Sequence, residues 1–229
     1  MSRPVNQPPH TRSYHAPRRT AAALETRQAI LRAAREEFET RGWAATTMRS
    51  IAGRAGVSPK TVEALFATKP ALLEATLLTS LVGDPASTDT SGVFRGEVVL
   101  EMLGDITRDM EGAPDAATVL DLFSAAACQA LARSARTCWT LETAVPTDER
   151  LAEVWARAVE VQRFVIRRWA EILLQKPGVR ADLTRREAEE ALLITSDWNV
   201  HRSLTTTGGM TTAQFEAWTK RYHRRMVLE

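Results

Sequence analysis

Between Thr46 and Lys69 the chain runs TTMRSIAGRAGVSPKTVEALFATK, and two helix-start signals on either side of one glycine leave this stretch little conformational choice. Thr46 is placed to cap a helix on which Met48, Ile51, Ala52 and Ala55 recur at helical spacing. Gly56 then supplies the positive φ that ends it, a conformation glycine adopts without a Cβ penalty. Val57 follows, in position to plug the angle between two helices. Ser58 is a second cap, and Pro59 stands at the first helical position, where its missing N–H would have had no partner anyway. The second helix therefore carries Lys60, Thr61, Glu63 and Ala64 on its early, outward side, with Val62, Leu65 and Phe66 on or near the inward one. Two short helices joined by a glycine turn, the second presenting polar residues from its first turns, form the layout with which a helix-turn-helix reads DNA.

With its flanks this segment resembles the DNA-binding domain of the TetR family of transcriptional regulators. Upstream, residues 26–41 (TRQAILRAAREEFETR) look like the family's first helix, with Ile30, Ala34 and Phe38 on one face, followed by Gly42-Trp43 where the family has a glycine and an aromatic. Downstream, Thr68-Lys69-Pro70-Ala71-Leu72-Leu73 matches the threonine/serine–lysine step that opens the family's fourth helix. The motif-level likeness runs over roughly residues 25–78, and beyond that only helix order and length agree. One departure stands out: the family often has tyrosines in its third helix, where this chain has Glu63 and Leu65. Tyrosine hydroxyls there commonly hold phosphates, so the departure implies a somewhat different operator. Glu63 is placed either to accept from a cytosine amino group or to stand solvated.

A helix corner inside an ordinary helical domain is the competing reading of the same stretch. The order and spacing of cap, turn and cap weigh against it, and so does the distribution of charge. Residues 1–70 hold 12 Lys/Arg against 5 Asp/Glu, whereas 71–229 hold 18 against 23. A basic end on an otherwise mildly acidic chain is the electrostatic footprint of a protein that lays one face on a phosphate backbone. Thr47, Lys60 and Lys69, at helix starts, are the expected phosphate contacts. Lys60, Thr61 and Glu63 are the expected base contacts, with Arg49 and Ser58 completing the DNA-binding set.

A chain of 229 residues, 44% hydrophobic and 25% charged, has ordinary globular composition and room for a small domain plus a larger one. No apolar run approaches the ~18 residues of a membrane span and the N-terminus lacks an apolar signal core, so a cytoplasmic protein is expected. Two cysteines, Cys128 and Cys138, are too few for a disulfide scaffold; buried packing thiols are the favoured reading and a redox pair the alternative. Residues 1–22 form a tail rich in Pro, His and Arg without an acidic side chain, expected to be disordered in isolation. Its Arg3, Arg12, Arg18 and Arg19 serve either as a minor-groove arm or as part of a solvated leader. A DNA-reading domain is expected over 23–82, a turn-rich connection over 83–92 (GDPASTDTSG), and a second, larger helical domain over 93–229.

That second part reads as helical throughout, with helices at 94–111, 114–134, 136–144, 148–175, 184–206 and 211–227 and with Thr147 and Thr184 as caps. The longest carries Leu151, Trp155, Ala158, Gln162, Val165, Trp169 and Ile172 on one seam, enough to organise a core. On the last two, Ala188, Leu192, Thr195, Asn199 and Arg202 align opposite Phe215, Trp218, Tyr222 and Met226. The TetR resemblance implies that these helices pair with their copies in a four-helix bundle across a two-fold axis, which makes Leu192, Thr195, Asn199, Phe215, Trp218, Tyr222 and Met226 dimer-interface candidates; intramolecular core is the competing explanation.

The resemblance also implies a small-molecule pocket. Its candidate lining is Phe123, Cys128, Trp139, Trp155, Phe164, Trp169, Trp198 and His201, although each of these taken singly reads more readily as core; Asp197 and His201 are a polar pair either within the cavity or at a surface or interface. No phosphate loop, metal-ligand spacing or nucleophile elbow occurs, and His10, His15, His201 and His223 are scattered, so no catalysis, metal or cofactor is expected. The resulting expectation is an all-α homodimeric regulator, most simply a repressor, that binds a palindromic double-stranded operator and senses an apolar small molecule. An activator, a redox-responsive regulator using Cys128 and Cys138, and an interaction protein that does not bind DNA are the alternatives.

Overall fold

A computed structural model describes residues 16–83 and 95–228, with the side chains of 16–20 excepted. Among these residues the fold is all helical. The elements are α1 (Ala16–Ala45), α2 (Met48–Ala55), α3 (Pro59–Leu65), α4 (Lys69–Val82), α5 (Gly96–Met102), α6 (Gly104–Gly112), α7 (Ala116–Ala144), α8 (Glu149–Leu174), α9 (Arg185–Thr195), α10 (Trp198–Arg202) and α11 (Thr212–Val227). A 3-10 turn (Val145–Thr147) joins α7 to α8, and a π turn (Ser203–Thr207) follows α10. The expected arm residues Arg3 and Arg12, the side chains of Arg18 and Arg19, and most of the 83–92 connection lie outside the described residues. Helix α1 begins at Ala16, well inside the expected 1–22 tail, because Ala21 to Leu24 are strong helix formers that extend the helix without an apolar period.

Near its end α1 breaks at Gly42 (φ 72, ψ 178), a region essentially closed to residues with a Cβ. Side chains brace the chain around this break by bonding to carbonyls on and beside it. Thr46 Oγ1 donates to the carbonyls of Glu37 (3.0 Å) and Gly42 (2.8 Å), and Lys69 Nζ donates to that of Trp43. Thr46 is thus buried in the break, and the cap expected of it falls to Thr47, whose hydroxyl accepts from Ser50 N at 3.0 Å. Trp43 stacks on Phe38 with centroids 5.9 Å apart, closing the first core with Ile30, Ala34, Ile51, Ala52 and Val62. Leu65, expected inward, is 38% exposed; the three-residue step from Val62 turns it past the core edge, and Phe66 fills that place.

Most of the remaining helices pack on α7, a single 29-residue helix where two were expected, while α5 and α9 pack chiefly on α8. Ser134 does not interrupt it, because the hydroxyl donates back to the Ala130 carbonyl at 2.8 Å. The expected 94–111 helix is instead two, parted at Leu103. Gly96 at its start is buried against Phe164, whose ring would lie 2.4 Å from an added Cβ. Asp148 rather than Thr147 caps α8, accepting from Arg150 N at 3.1 Å, while Thr184 caps α9 as expected. The expected 184–206 helix breaks at Ser196, and Asp197 caps α10 by accepting from Asn199 N and Val200 N.

That break dismantles the expected seam along 188–202. Ala188, Leu192 and Thr195 are buried within the single chain, as is Phe215 across from them, so none of these has surface to offer a partner. His223 lies at their centre. Its ring nitrogens face Ser124 Oγ of α7 (3.0 Å) and Thr195 Oγ1 of α9 (2.9 Å), joining three helices.

Two expectations follow. Gly42→Ala has open space around the new Cβ yet forces it into a disfavoured φ, and should cost about 1–3 kcal/mol in denaturant melts. Burial, only partly opposed by a backbone hydrogen bond at Ala191 and by Asp121, lowers His223 to about 4. The folded state thus holds it neutral, so its stabilisation is complete above pH 6.5 and is lost as pH falls from there through 4. The difference in stability between wild type and His223→Gln should accordingly shrink or reverse over that window, by about 3 kcal/mol in total. A constant difference would mean that His223 is not held neutral.

Candidate DNA-reading face and effector cavity

The two short helices α2 and α3 owe their ends to local chemistry. A capping box joins Thr47 and Ser50 at the start of α2, and Gly56 (φ 69, ψ 27) ends it with its N–H turned back to the Ala52 and Gly53 carbonyls. Ser58 Oγ accepts from Thr61 N at 3.1 Å and lies 2.8 Å from Thr61 Oγ1, with Pro59 opening α3. The hydroxyls of Thr47 and Ser58 are therefore engaged in holding the helix starts, and Thr61 is half-buried beside its cap.

Ion pairing sorts the cations of this module. Arg54 bridges Glu37 (2.8 Å) and Glu36 (2.9 Å), and Arg41 reaches Glu37 at 3.1 Å. Burial pushes the Glu37 carboxyl up, but hydrogen bonds from Ser50 and Arg54 and the charges of Arg41 and Arg54 outweigh it and hold Glu37 below its ordinary value. This staple fixes α2 against α1. Arg49 on α2 and Lys60 on α3, both exposed, have no ion-pair or hydrogen-bond partner among the described residues. Glu63 is likewise exposed on α3. Lys69 differs from its expectation: its ammonium lies 3.9 Å from the Trp43 ring centroid as well as on the Trp43 carbonyl, and burial lowers its pKa against the opposing effect of Asp148. It braces the α1 break rather than standing open at the surface.

A cavity of about 440 Å³ opens between α4, α7 and α8. Of the expected lining, Phe123, Trp155, Trp169 and Trp198 are present. Trp155 meets Trp198 edge to face at 5.0 Å, and Trp169 Nε1 donates to Thr107 Oγ1 at 3.1 Å. The other four expected residues lie elsewhere for identifiable reasons. Phe164 packs on Gly96; Trp139 is 47% exposed on the outer side of α7 with Arg202 over its ring; Cys128 packs with Leu131 and Phe215. His201 meets Phe215 edge-on at 4.9 Å with Nδ1 unpartnered, and burial lowers its pKa. Asp197, serving as the α10 cap, makes no side-chain pair with it.

Sequence reading missed the apolar walls that α4, α5 and α6 supply, such as Leu77, Val99 and Ile106, and several polar residues, Gln129 among them. Gln162 was legible as a seam position, and its amide donates to the Ser196 carbonyl at 3.1 Å, the acceptor that the α9–α10 break releases. Arg133, Ser134 and Cys138 also face the cavity, and nothing in the sequence separates that side of α7 from its others.

The opposite side of this stretch of α7 holds α1. Arg35 Nη2 donates to the Arg133 carbonyl at 2.6 Å, Thr137 to Glu39 at 2.8 Å, and Thr140 to the Phe38 carbonyl at 3.2 Å. Helix α4 is tied in as well, through Arg133 at its last carbonyls and a two-pronged Arg157–Glu74 pair (2.7 and 3.0 Å) from α8. No group of three or more His, Cys, Asp or Glu among the described residues converges as a metal site would require, and no single helix among them is long and apolar enough to cross a membrane.

Residues 30–76 match the family model described as bacterial regulatory proteins, tetR family. No curated protein matches the sequence. Among solved structures, NalD, the secondary repressor of the MexAB-OprM multidrug efflux pump in Pseudomonas aeruginosa, superposes with TM-score 0.65 at 20% identity, covering 91% of this chain and 98% of that one. A TetR transcription regulator from Haloarcula marismortui gives 0.59 at 16%, covering 89% and 98%. A transcriptional regulator from Rhodococcus sp. Rha1 gives 0.56 at 18%, covering 87% and 95%. The module at 30–76 is thus of the TetR type, and the fold of the chain is that of TetR-family regulators.

The two thiols lie ten positions apart on α7, about 15 Å along a helix, too far for a disulfide. Burial raises Cys128 to about 11 and Cys138 to about 12. Both should therefore resist Ellman's reagent at pH 8 in the native protein and react fully in guanidinium. Fast reaction of either in the native state would contradict this packing.

Proposed function

We propose that this chain, with its TetR-type module and the fold of that family's regulators, is a DNA-binding transcriptional regulator: a homodimeric repressor that acts in the cytoplasm, binds a palindromic operator and is released by a small molecule. The reading is carried by Arg49 and Lys60, two exposed cations at the starts of α2 and α3 that are unpaired among the described residues, on a cap–turn–cap module of matched type. Helix N-termini and unpaired cations together favour phosphate. Lys60, Thr61 and Glu63 stand where α3 would meet base edges, while Thr47 and Ser58 contribute through the helix starts that they hold. Lys69 supports the reader by bracing the α1 break.

Dimerisation falls to what α9 and α11 leave uncovered. Phe215, Trp218 and Tyr222 stack in a ladder with centroids 5.6 and 5.7 Å apart, and its outer end, with Met226 and Ile194 (each 43% exposed), gives an apolar face. Asn199 turns its amide to Glu142 of α7 at 3.3 Å. Two readers related by a two-fold axis would address successive major grooves about 34–36 Å apart, or further on distorted DNA. The cavity, whose α7 wall is bonded to α1 and to the end of α4, would take the effector. A ligand that prefers the arrangement in which the readers are misplaced lowers operator affinity by the same free energy by which DNA lowers ligand affinity.

Titration of a random-sequence duplex at several salt concentrations tests the DNA reading. Binding should weaken steeply with salt, and Arg49→Ala and Lys60→Ala should each reduce the slope of log K against log salt by about one unit. No binding to the duplex would instead favour an interaction protein that does not bind DNA, and salt-independent binding would remove Arg49 and Lys60 from the interface. In sedimentation, Ile194→Glu with Met226→Glu should give a folded monomer, because a charge in the middle of an apolar contact is left desolvated without a partner. Leu192→Glu should unfold the chain, since its side chain is already inside it.

A further inference from the structure

The cavity is apolar on most sides, with Trp155, Trp169 and Trp198 on its walls, and among the described residues no Asp or Glu lines it and Arg133 is the one charged lining group. The Arg133 Nε donates to the Ser80 carbonyl at 3.1 Å and Nη2 to the Leu81 carbonyl at 2.9 Å, both in the last turn of α4. Two neutral acceptors leave part of a five-donor fork unused and its charge uncompensated. Among the described residues no carboxylate pairs with Arg133. Burial lowers its pKa, and the Arg35 guanidinium lowers it further, so the charged influence it feels is another cation.

A half-buried charge with no counter-ion among the described residues is costly to hold, and a ligand that brings the opposite charge lowers that cost as it binds. Neutral ligands gain only burial, and a cation would meet Arg133 head-on. We infer that the cavity takes an amphipathic monoanion, a flat apolar body among the tryptophans with a carboxylate or sulfonate group against Arg133. This rests on the proposed reading of the cavity as the effector site and adds the charge of the ligand to it. The same guanidinium holds the final carbonyls of α4, so an anion competes with the end of that helix for its donors. Ligand binding would thereby loosen the helix that leads out of the reader.

Two fluorescent probes of nearly equal shape test this: 1-anilinonaphthalene-8-sulfonate, an anion, and N-phenyl-1-naphthylamine, its neutral counterpart. The wild-type chain should bind the sulfonate at one site about tenfold or more tighter than the amine, the gain of a charge-assisted contact over a neutral one. Arg133→Met should erase that preference while leaving the affinity for the amine within about twofold, and Arg133→Lys should keep part of it. Leu122→Trp, which fills the cavity, should remove both probes in a chain whose circular dichroism is unchanged. Equal or tighter binding of the amine by the wild type, or a preference that survives in Arg133→Met, would overturn the anion inference and leave the cavity as a binding site. Failure of both probes to bind, or binding indifferent to Leu122→Trp, would overturn the effector reading along with it. The comparison of the two probes on the wild type decides the matter even where the methionine variant does not fold.

Discussion

Helix α7 serves two neighbours at once. Over one stretch, Arg133, Ser134 and Cys138 face the cavity, while the Arg133 carbonyl, Thr137 and Thr140 hold α1. A helix is stiff along its axis, so a side chain that shifts the cavity wall also shifts the groups a few ångströms away that position α1. Because α1 carries α2 through the Glu37–Arg54 pair, the chain of contacts from cavity to recognition helix needs no loop. On the proposed reading this is how an effector and an operator sense one another, with the two discrete arrangements supplied by the packing rather than by a hinge of flexible residues.

The Gly42 break makes the short helices usable. It turns the chain out of α1, and Thr46 and Lys69 bond to the carbonyls around it from two different directions. The module therefore uses a threonine and a lysine for internal bracing that sequence reading had given to capping and to phosphate. Caps and breaks compete for the same residue types, and only the three-dimensional position of the carbonyls decides between them.

Much of the fold was legible wherever local chemistry governs it. The Gly56 stop, the Ser58–Pro59 start, the Thr184 cap and the buried face of Ile30, Ala34 and Phe38 all follow from rules spanning a few residues. The α8 seam was legible too, and five of its seven residues prove to line the cavity as well as pack into the core around it, a distinction periodicity does not make. What was not legible depends on partners distant in sequence. The Ser196 carbonyl freed at the α9–α10 break takes its hydrogen bond from the Gln162 amide, and the burial of Leu192 and Phe215 follows from how α9 folds onto α8 and α11 onto α7. The aromatic stripe looked alike in both settings; the structure divides it into an inner part, Phe215, and an outer part ending at Met226.

The central claim is that this module reads DNA as a symmetric pair. Selection of bound sequences from a random duplex pool by the full chain tests it most directly, because one result reports both recognition and symmetry. The account predicts enrichment of an inverted repeat whose half-sites lie one helical turn of DNA or somewhat more apart. A pool that stays random, or one that yields a single asymmetric site, would contradict it.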